Sequence, residues 1–434
     1  MPAMRRCTLL LLASVGITAA DITQDPDGRI PWREAPAEVT PRERWRYLPP
    51  ERIVAGNFID RFGVTTFAFP IVFSEEAIGT GVGVGIVDTD FRGQDRAEAL
   101  ATFASITTEG QTEAIVAWRR TLRRVRDSSG GVFVKESDSF GLTGGFRRTL
   151  TRRFYGLGPD STPDDESSYT DQVGFLGAQI EGEPLDPLPE LTTRLGLRGE
   201  WRRVEDGRAP NHPSAVDAYP TLVSPQDDRL RAITTVGATW DRRDSRANPY
   251  HGGSLDLGAE CWGDEGVVGT LSGTYAVSIP SLFHDGGRAD LGTRGREENP
   301  PTDVIAVGGH LQQTTGEVPV MGLPSLGGSK TLRGYIADRF VDRAAWHGSI
   351  EWRTWIMPRG FSITRTVRIE RVGLAPFWDI GTVAPRLGDL PSARQHHNPG
   401  LGFRFAFERA MVLRLDIARS NEQTGVNLDM GMAF

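Results

Sequence analysis

Several places in the chain carry side chains of the kinds that do chemistry. Gly322-Leu323-Pro324-Ser325-Leu326-Gly327 sets a serine among glycines. It lacks the Gly-x-Ser-x-Gly spacing that holds a nucleophile on a sharp strand-to-helix turn. His396-His397 stands just before Pro399, where a turn is expected, and the spacing suggests no further metal ligand. Residues 158–171 (GPDSTPDDESSYTD) are acidic but lack the Asp-x-Asp-x-Asp-Gly order of a calcium loop, so a solvated loop is expected. Cys261 reads as an inert strand residue. No phosphate-binding loop is present. No enzyme activity, catalytic residue, metal or cofactor is expected.

The candidate that remains is an arginine among glycines. Arg333 lies in Leu332-Arg333-Gly334-Tyr335, after Gly327-Gly328 and before an alternating segment with Glu351 and Arg353. The surrounding stretch, 315–346, is long and has almost no periodicity; loops of that length in a compact domain are usually functional. An arginine there suits a loop that folds back into a confined space and needs one strong anchor.

Anchoring requires a wall. The chain has 434 residues, a formal net charge of -7 and 51 glycines. Its basic residues are almost all Arg, with Lys only at 135 and 330, and the charge balance gives no reason to expect nucleic-acid binding. Residues 1–20 read as a signal peptide: Arg5-Arg6, an apolar run from 9 to 17, then Thr18-Ala19-Ala20, with cleavage after Ala20. Cys7 follows the arginines rather than the apolar run, so it is not a lipid-attachment site; its removal would leave Cys261 alone. Residues 21–60 are Pro- and charge-rich, too short for a core of their own, and read as a periplasmic extension. Beyond the signal no apolar stretch reaches the roughly 18 residues of a membrane helix. Two options remain: a soluble protein outside the cytoplasm, or a membrane-spanning β-barrel.

The C-terminal third favours the barrel. In 425–434, Val426, Leu428, Met430, Met432 and Phe434 alternate with small or polar residues. Phe403, Phe405 and Phe407 alternate with Arg404, Ala406 and Glu408; Leu413, Leu415 and Ile417 alternate with Arg414, Asp416 and Ala418. A side-chain period of two gives each strand one greasy and one polar face. A soluble sandwich could also produce this pattern. Recurring strands of about ten residues, with an aromatic closing the apolar face, fit lipid outside and a polar interior better.

The expected fold is all-β: a transmembrane antiparallel barrel over 61–434, of about 16 strands. Strands are expected at 64–73, 79–90, 97–108, 112–124, 191–203, 230–241, 252–262, 267–277, 302–314, 347–357, 366–380, 399–409, 411–419 and 424–434. More are expected inside 131–181, and loops at 204–229 and 283–301. If Ile350, Trp352 and Ile356 face lipid, Glu351 and Arg353 point inward; the same parity turns Phe377 and Asp379 inward.

Several motifs, in order, resemble the BamA/TamA superfamily of outer-membrane barrels, the bacterial surface antigen family. They are Phe154-Tyr155-Gly156-Leu157-Gly158; Trp240-Asp241-Arg242-Arg243-Asp244 followed by Pro249 and Gly252; Gly327-Gly328 with Leu332-Arg333-Gly334-Tyr335; and Glu351-Trp352-Arg353. Phe377-Trp378-Asp379-Ile380-Gly381, Gly400-Leu401-Gly402-Phe403-Arg404-Phe405, Arg414-Leu415-Asp416 and Phe434 complete the set. The resemblance implies that the long loop folds into the lumen and that Arg333 pairs with Asp379. An arginine fork meets a carboxylate with two parallel hydrogen bonds, so the residue type suits that task.

The resemblance also implies an outer-membrane location in a Gram-negative bacterium, outer-membrane lipid as surroundings, and a role in protein insertion or translocation. Phe434 resembles the terminal signal read by the host's barrel-assembly machinery. Members that insert or export proteins carry periplasmic POTRA domains, which residues 21–60 are too few to form, so a barrel-only member is expected. A passive channel or structural barrel is the alternative, and a hydrolase using Ser325 is a third reading.

Overall fold

The computed structural model describes residues 45–434 apart from 49, 51–52, 54–55, 63–64, 76–78, 136, 185–187, 189, 225–228, 247, 284–301, 363–367 and 408–410. The expected signal peptide and most of the expected extension lie outside the described residues, as does nearly all of the loop expected at 283–301.

Sixteen strands form one sheet in which each pairs antiparallel with the next in sequence. The first eight are β1 (Thr66–Glu75), β2 (Gly79–Asp88), β3 (Glu98–Thr107), β4 (Thr112–Thr121), β5 (Ser139–Phe154), β6 (Ser167–Gly182), β7 (Leu191–Asp206) and β8 (Arg229–Asp241). The second eight are β9 (Gly252–Cys261), β10 (Gly266–Ile279), β11 (Asp303–Gly316), β12 (Ala344–Met357), β13 (Arg371–Ala384), β14 (His396–Phe407), β15 (Met411–Arg419) and β16 (Thr424–Met430). The fold is an all-β, up-and-down barrel. Among the described residues no hydrogen-bonded pair joins β16 to β1.

Packing is inverted relative to a soluble protein. Val84, Ile106, Val116, Leu176, Leu195, Leu257, Ile350 and Trp378 are exposed, while Asp171, Arg202, Asp303, Glu351, Asp379, Arg404 and Asp416 are buried. An apolar exterior around a charged interior suits lipid outside. Among the described residues no helix is long and apolar enough to cross a membrane.

The strands depart from expectation in four places. Region 131–181 holds two strands of 16 residues each, β5 and β6; glycines 141, 144 and 145 blur the alternation there. β13 begins at Arg371 rather than 366. His396-His397 opens β14 instead of forming a turn, because pairing of Gly381 with His396 and of Asp379 with Asn398 carries the strand past the local turn signals. β16 stops at Met430, where Gly431 takes φ +91° and turns the chain out of the sheet.

A small sheet stands apart from the barrel wall. Residues 45–48 pair with 132–135, which pair with 124–126 in the β4–β5 connection. Tyr47 packs on Phe133, and Leu48 lies with Val132 and Val134. Residues 45–48 of the expected extension thus form a strand that finds its core by pairing.

Candidate functional site: a buried arginine on the inner wall

The connection from β11 to β12 spans 317–343. It is a long hairpin whose stem pairs Ser325–Leu326 antiparallel with Phe340–Val341. Gly327 begins the tip at φ +119°, and a Cβ there would sit 2.1 Å from the Ile336 carbonyl oxygen, so only glycine fits. Leu332 is buried with Leu326, Tyr335, Phe340, Ala345 and Val383, an apolar plug that fixes the tip against the wall. Tyr335 Oη donates to Asn421 Oδ1 at 2.7 Å. Gly334 passes so close to the wall that a Cβ would lie 2.9 Å from the Asn398 Cβ.

These contacts place Arg333 well down the wall: its partner Glu351 is the eighth of the 14 residues of β12. The Arg333 side chain is 1% exposed. Nε donates to Asp379 Oδ2 at 2.9 Å and one terminal nitrogen to Oδ1 at 2.7 Å, a bidentate fork; the Arg333 backbone N–H adds a third bond to Asp379 at 3.1 Å. The other terminal nitrogen reaches Glu351 at 2.7 Å and Asp416 at 2.8 Å. Ser349 Oγ accepts a further bond at 3.0 Å. Asn427 of β16 donates to the Arg333 carbonyl at 2.9 Å. Below the guanidinium lies the Phe377 ring, 3.4 Å away at its centroid. That ring needs Gly400 opposite, since a Cβ there would meet it at 2.1 Å.

A second ring of charges balances the first. Arg353 binds Glu351 at 2.9 Å; Arg404 binds Asp416 at 2.6 Å and Glu351 at 3.2 Å. Arg414 binds Asp416 at 3.1 Å and Asp429 at 2.9 Å. Four arginines (333, 353, 404, 414) thus face four carboxylates (351, 379, 416, 429). Removing one member of such a buried set costs far more than removing a surface pair, because the rest stay desolvated.

Leu332, Arg333, Gly334, Tyr335, Glu351, Arg353, Phe377 and Asp379 therefore come together on the inner face. Phe434 does not lie on the outer apolar face, where alternation alone would put it; it turns inward and lies under Arg353. Asp416, Arg404, Arg414, Ser349 and Asn398 join the cluster without having been singled out as site residues, although Arg404, Arg414 and Asp416 sit at polar positions of alternating strands. A second buried arginine in the loop itself was not anticipated. Arg339 binds Glu422 at 2.7 Å, donates to Ser161 at 2.9 Å and stacks 4.1 Å from the Tyr155 ring. Asp338 accepts from Arg152 and from Ser325 Oγ, both at 2.7 Å. His396 stacks on Phe340 inside, whereas His397 stacks on Trp378 outside, so the two histidines cannot share a metal.

The geometry defines a β-barrel with a loop fastened to its inner wall by buried charge. No protein-family model matches this chain, and no curated protein matches it. Solved structures do. CdiB from Escherichia coli shares the fold, with a TM-score of 0.51 at 9% identity over 89% of this chain and 66% of that one. BamA from Haemophilus ducreyi lacking POTRA domains 1-3 aligns at a TM-score of 0.49 and 15% identity, over 84% of this chain and 69% of that one. CdiB from Acinetobacter baumannii aligns at 0.48 and 11%, over 85% and 59%. The chain spans about three fifths to two thirds of the length of these structures. At such identities the likeness is one of fold.

Proposed function

We propose that this chain is an outer-membrane barrel of the BamA/TamA type in a Gram-negative bacterium, acting in the insertion or translocation of other polypeptides. Arg333 is its latch: it fixes the 317–343 loop inside the barrel. The observation that carries this reading is the Arg333 side chain itself, which binds carboxylates on three strands at once: Glu351 of β12, Asp379 of β13 and Asp416 of β15. A loop needing only to connect β11 to β12 has no use for a contact that gathers four wall strands, counting Asn427 of β16.

The action follows from the edges. Strands β1 and β16 end the pairing order. An incompletely paired edge offers backbone donors and acceptors that can template an incoming strand. The latch holds β12 to β16 as one rigid wall beside that seam, while the apolar exterior faces lipid.

Depletion of the protein in its host tests the reading. Loss of assembly or export of other outer-membrane proteins supports it. Intact assembly, together with robust conductance of the purified protein in planar bilayers, selects a passive channel instead. Conductance of Arg333→Ala tests the latch separately: it should rise as the loop leaves the lumen.

A further inference from the structure

One carboxylate is buried on the outer face of the wall. Glu98, Leu100, Thr102, Ala104 and Ile106 share a face of β3, and Ile106 is exposed there, yet the Glu98 side chain is 1% exposed. Two arginines and an indole cover it. Arg92 donates to both Glu98 oxygens at 2.6 Å, Arg120 of β4 lies 3.5 Å from Oε1, and Trp118 Nε1 donates to Oε2 at 3.4 Å. Arg92 takes φ +63°, a left-handed conformation uncommon for any residue but glycine. Its turn, 89–97, is tied to the β4–β5 connection by Asp95, which binds Arg126 at 2.6 Å and Arg124 at 3.6 Å. Residues 45–48 pair with that connection, so the cluster lies at the mouth where the expected extension enters.

We propose that Arg92 and Arg120 form a binding site for the phosphate of an anionic phospholipid in the periplasmic leaflet, with Glu98 holding the two guanidinium groups side by side. The site rests on the outer-membrane reading above and adds a ligand to it. Arginines 92, 120, 124 and 126 meet only the carboxylates of Asp95 and Glu98 here, which leaves positive charge in surplus. The Arg92 and Arg120 side chains stay 57% and 52% exposed, so N–H donors remain for an oxyanion. Trp118 stands next in from the rim, as indoles do at headgroup depth. Its ring meets Phe140 edge-on at 6.1 Å, and Leu142 and Val116 carry the exposed apolar surface on from there. Phosphate, interface and acyl chain thus each meet a matching surface along one line of the wall. A rim needing only solubility has no use for a carboxylate buried on its lipid face.

The test titrates the full chain, refolded into detergent, with phosphatidylglycerol, phosphatidylethanolamine or inorganic phosphate, and counts bound lipid by native mass spectrometry. The parent should bind phosphatidylglycerol roughly tenfold more tightly than phosphatidylethanolamine. Arg92→Ala should lose that preference, the change expected when a charge-assisted hydrogen bond is removed. Arg92→Ala keeps Glu98 paired with Arg120, and heat-modifiable migration establishes that it folds; Arg120→Ala repeats the test on the other guanidinium. A preference within twofold of the parent's in both folded variants overturns the proposal. So does displacement of the lipid by inorganic phosphate, which would make this a site for a free anion. The leaflet is read separately: Ser128→Cys in a Cys261→Ser background should react with a bulky, impermeant maleimide only after the outer membrane is opened. Reaction in intact cells overturns the periplasmic placement. Selective lipid binding by a chain whose depletion spares assembly would keep this site and remove only the translocation reading.

Discussion

Arg333 and Asp379 are 46 positions apart in sequence and joined by three hydrogen bonds, one from the backbone and two from the guanidinium fork. The pair couples the tip of a loop to the middle of a barrel strand. Replacing Arg333 with Ala leaves Glu351, Asp379 and Asp416 facing one another without their shared cation. The expected loss is about 3–5 kcal/mol, read as a drop in the temperature at which heat-modifiable migration is lost. Arg333→Lys should recover little, because a point charge cannot span three carboxylates. Full recovery by Lys would mean that charge alone, without the fork, holds the loop.

Arg339 is the second fastening. Its Glu422 and Ser161 contacts tie the loop to the β15–β16 turn and to the β5–β6 connection. Arg339→Ala should expose 327–339 to limited proteolysis while the barrel stays folded. Equal cleavage of parent and variant would show that Arg333 suffices alone.

Gly400 is required by the Phe377 ring. Gly400→Ala should destabilise the barrel by about 1–3 kcal/mol, the usual cost of overpacking. Phe377→Leu in the same chain should restore part of that loss, since the shorter side chain vacates the space. Urea unfolding in detergent measures both; an additive double variant would mean the two positions do not meet.

Leu257 tests the lipid-facing exterior. It is 62% exposed on β9, a position where Arg would be harmless in a soluble protein. In a bilayer Leu257→Arg should cost about 2–4 kcal/mol if the site lies near the midplane. Reversible unfolding from vesicles gives the value, and no cost there would argue against a membrane-facing β9.

Deleting Phe434 should lower the amount of barrel reaching the membrane in cells, if the host machinery reads that residue as an assembly signal. Immunoblots of fractionated membranes give the amount. Normal levels would confine Phe434 to its place in the lumen.

The barrel was legible because alternation is local. Each strand states its two faces within about ten residues, so the parity of Trp378 with Ile380 puts Asp379 on the opposite face without knowledge of any partner. Local signals failed where pairing or backbone conformation overrode them. β14 extends back to His396 because β13 supplies partners, and Phe434 leaves the sheet because Gly431 adopts a positive φ. The loop shows the limit most clearly. Arg333 stood out among glycines, but Arg339 looks like any solvated arginine until Glu422, 83 positions away, and Tyr155 close around it. Sequence by itself determined the strands, their two faces and the one arginine in need of an anchor, because these depend on residues close in the chain. Tertiary structure alone decided which carboxylates meet, that Glu351 serves both Arg333 and Arg353, and that the last aromatic turns inward. Those contacts exist only after sixteen strands have curved around a common interior.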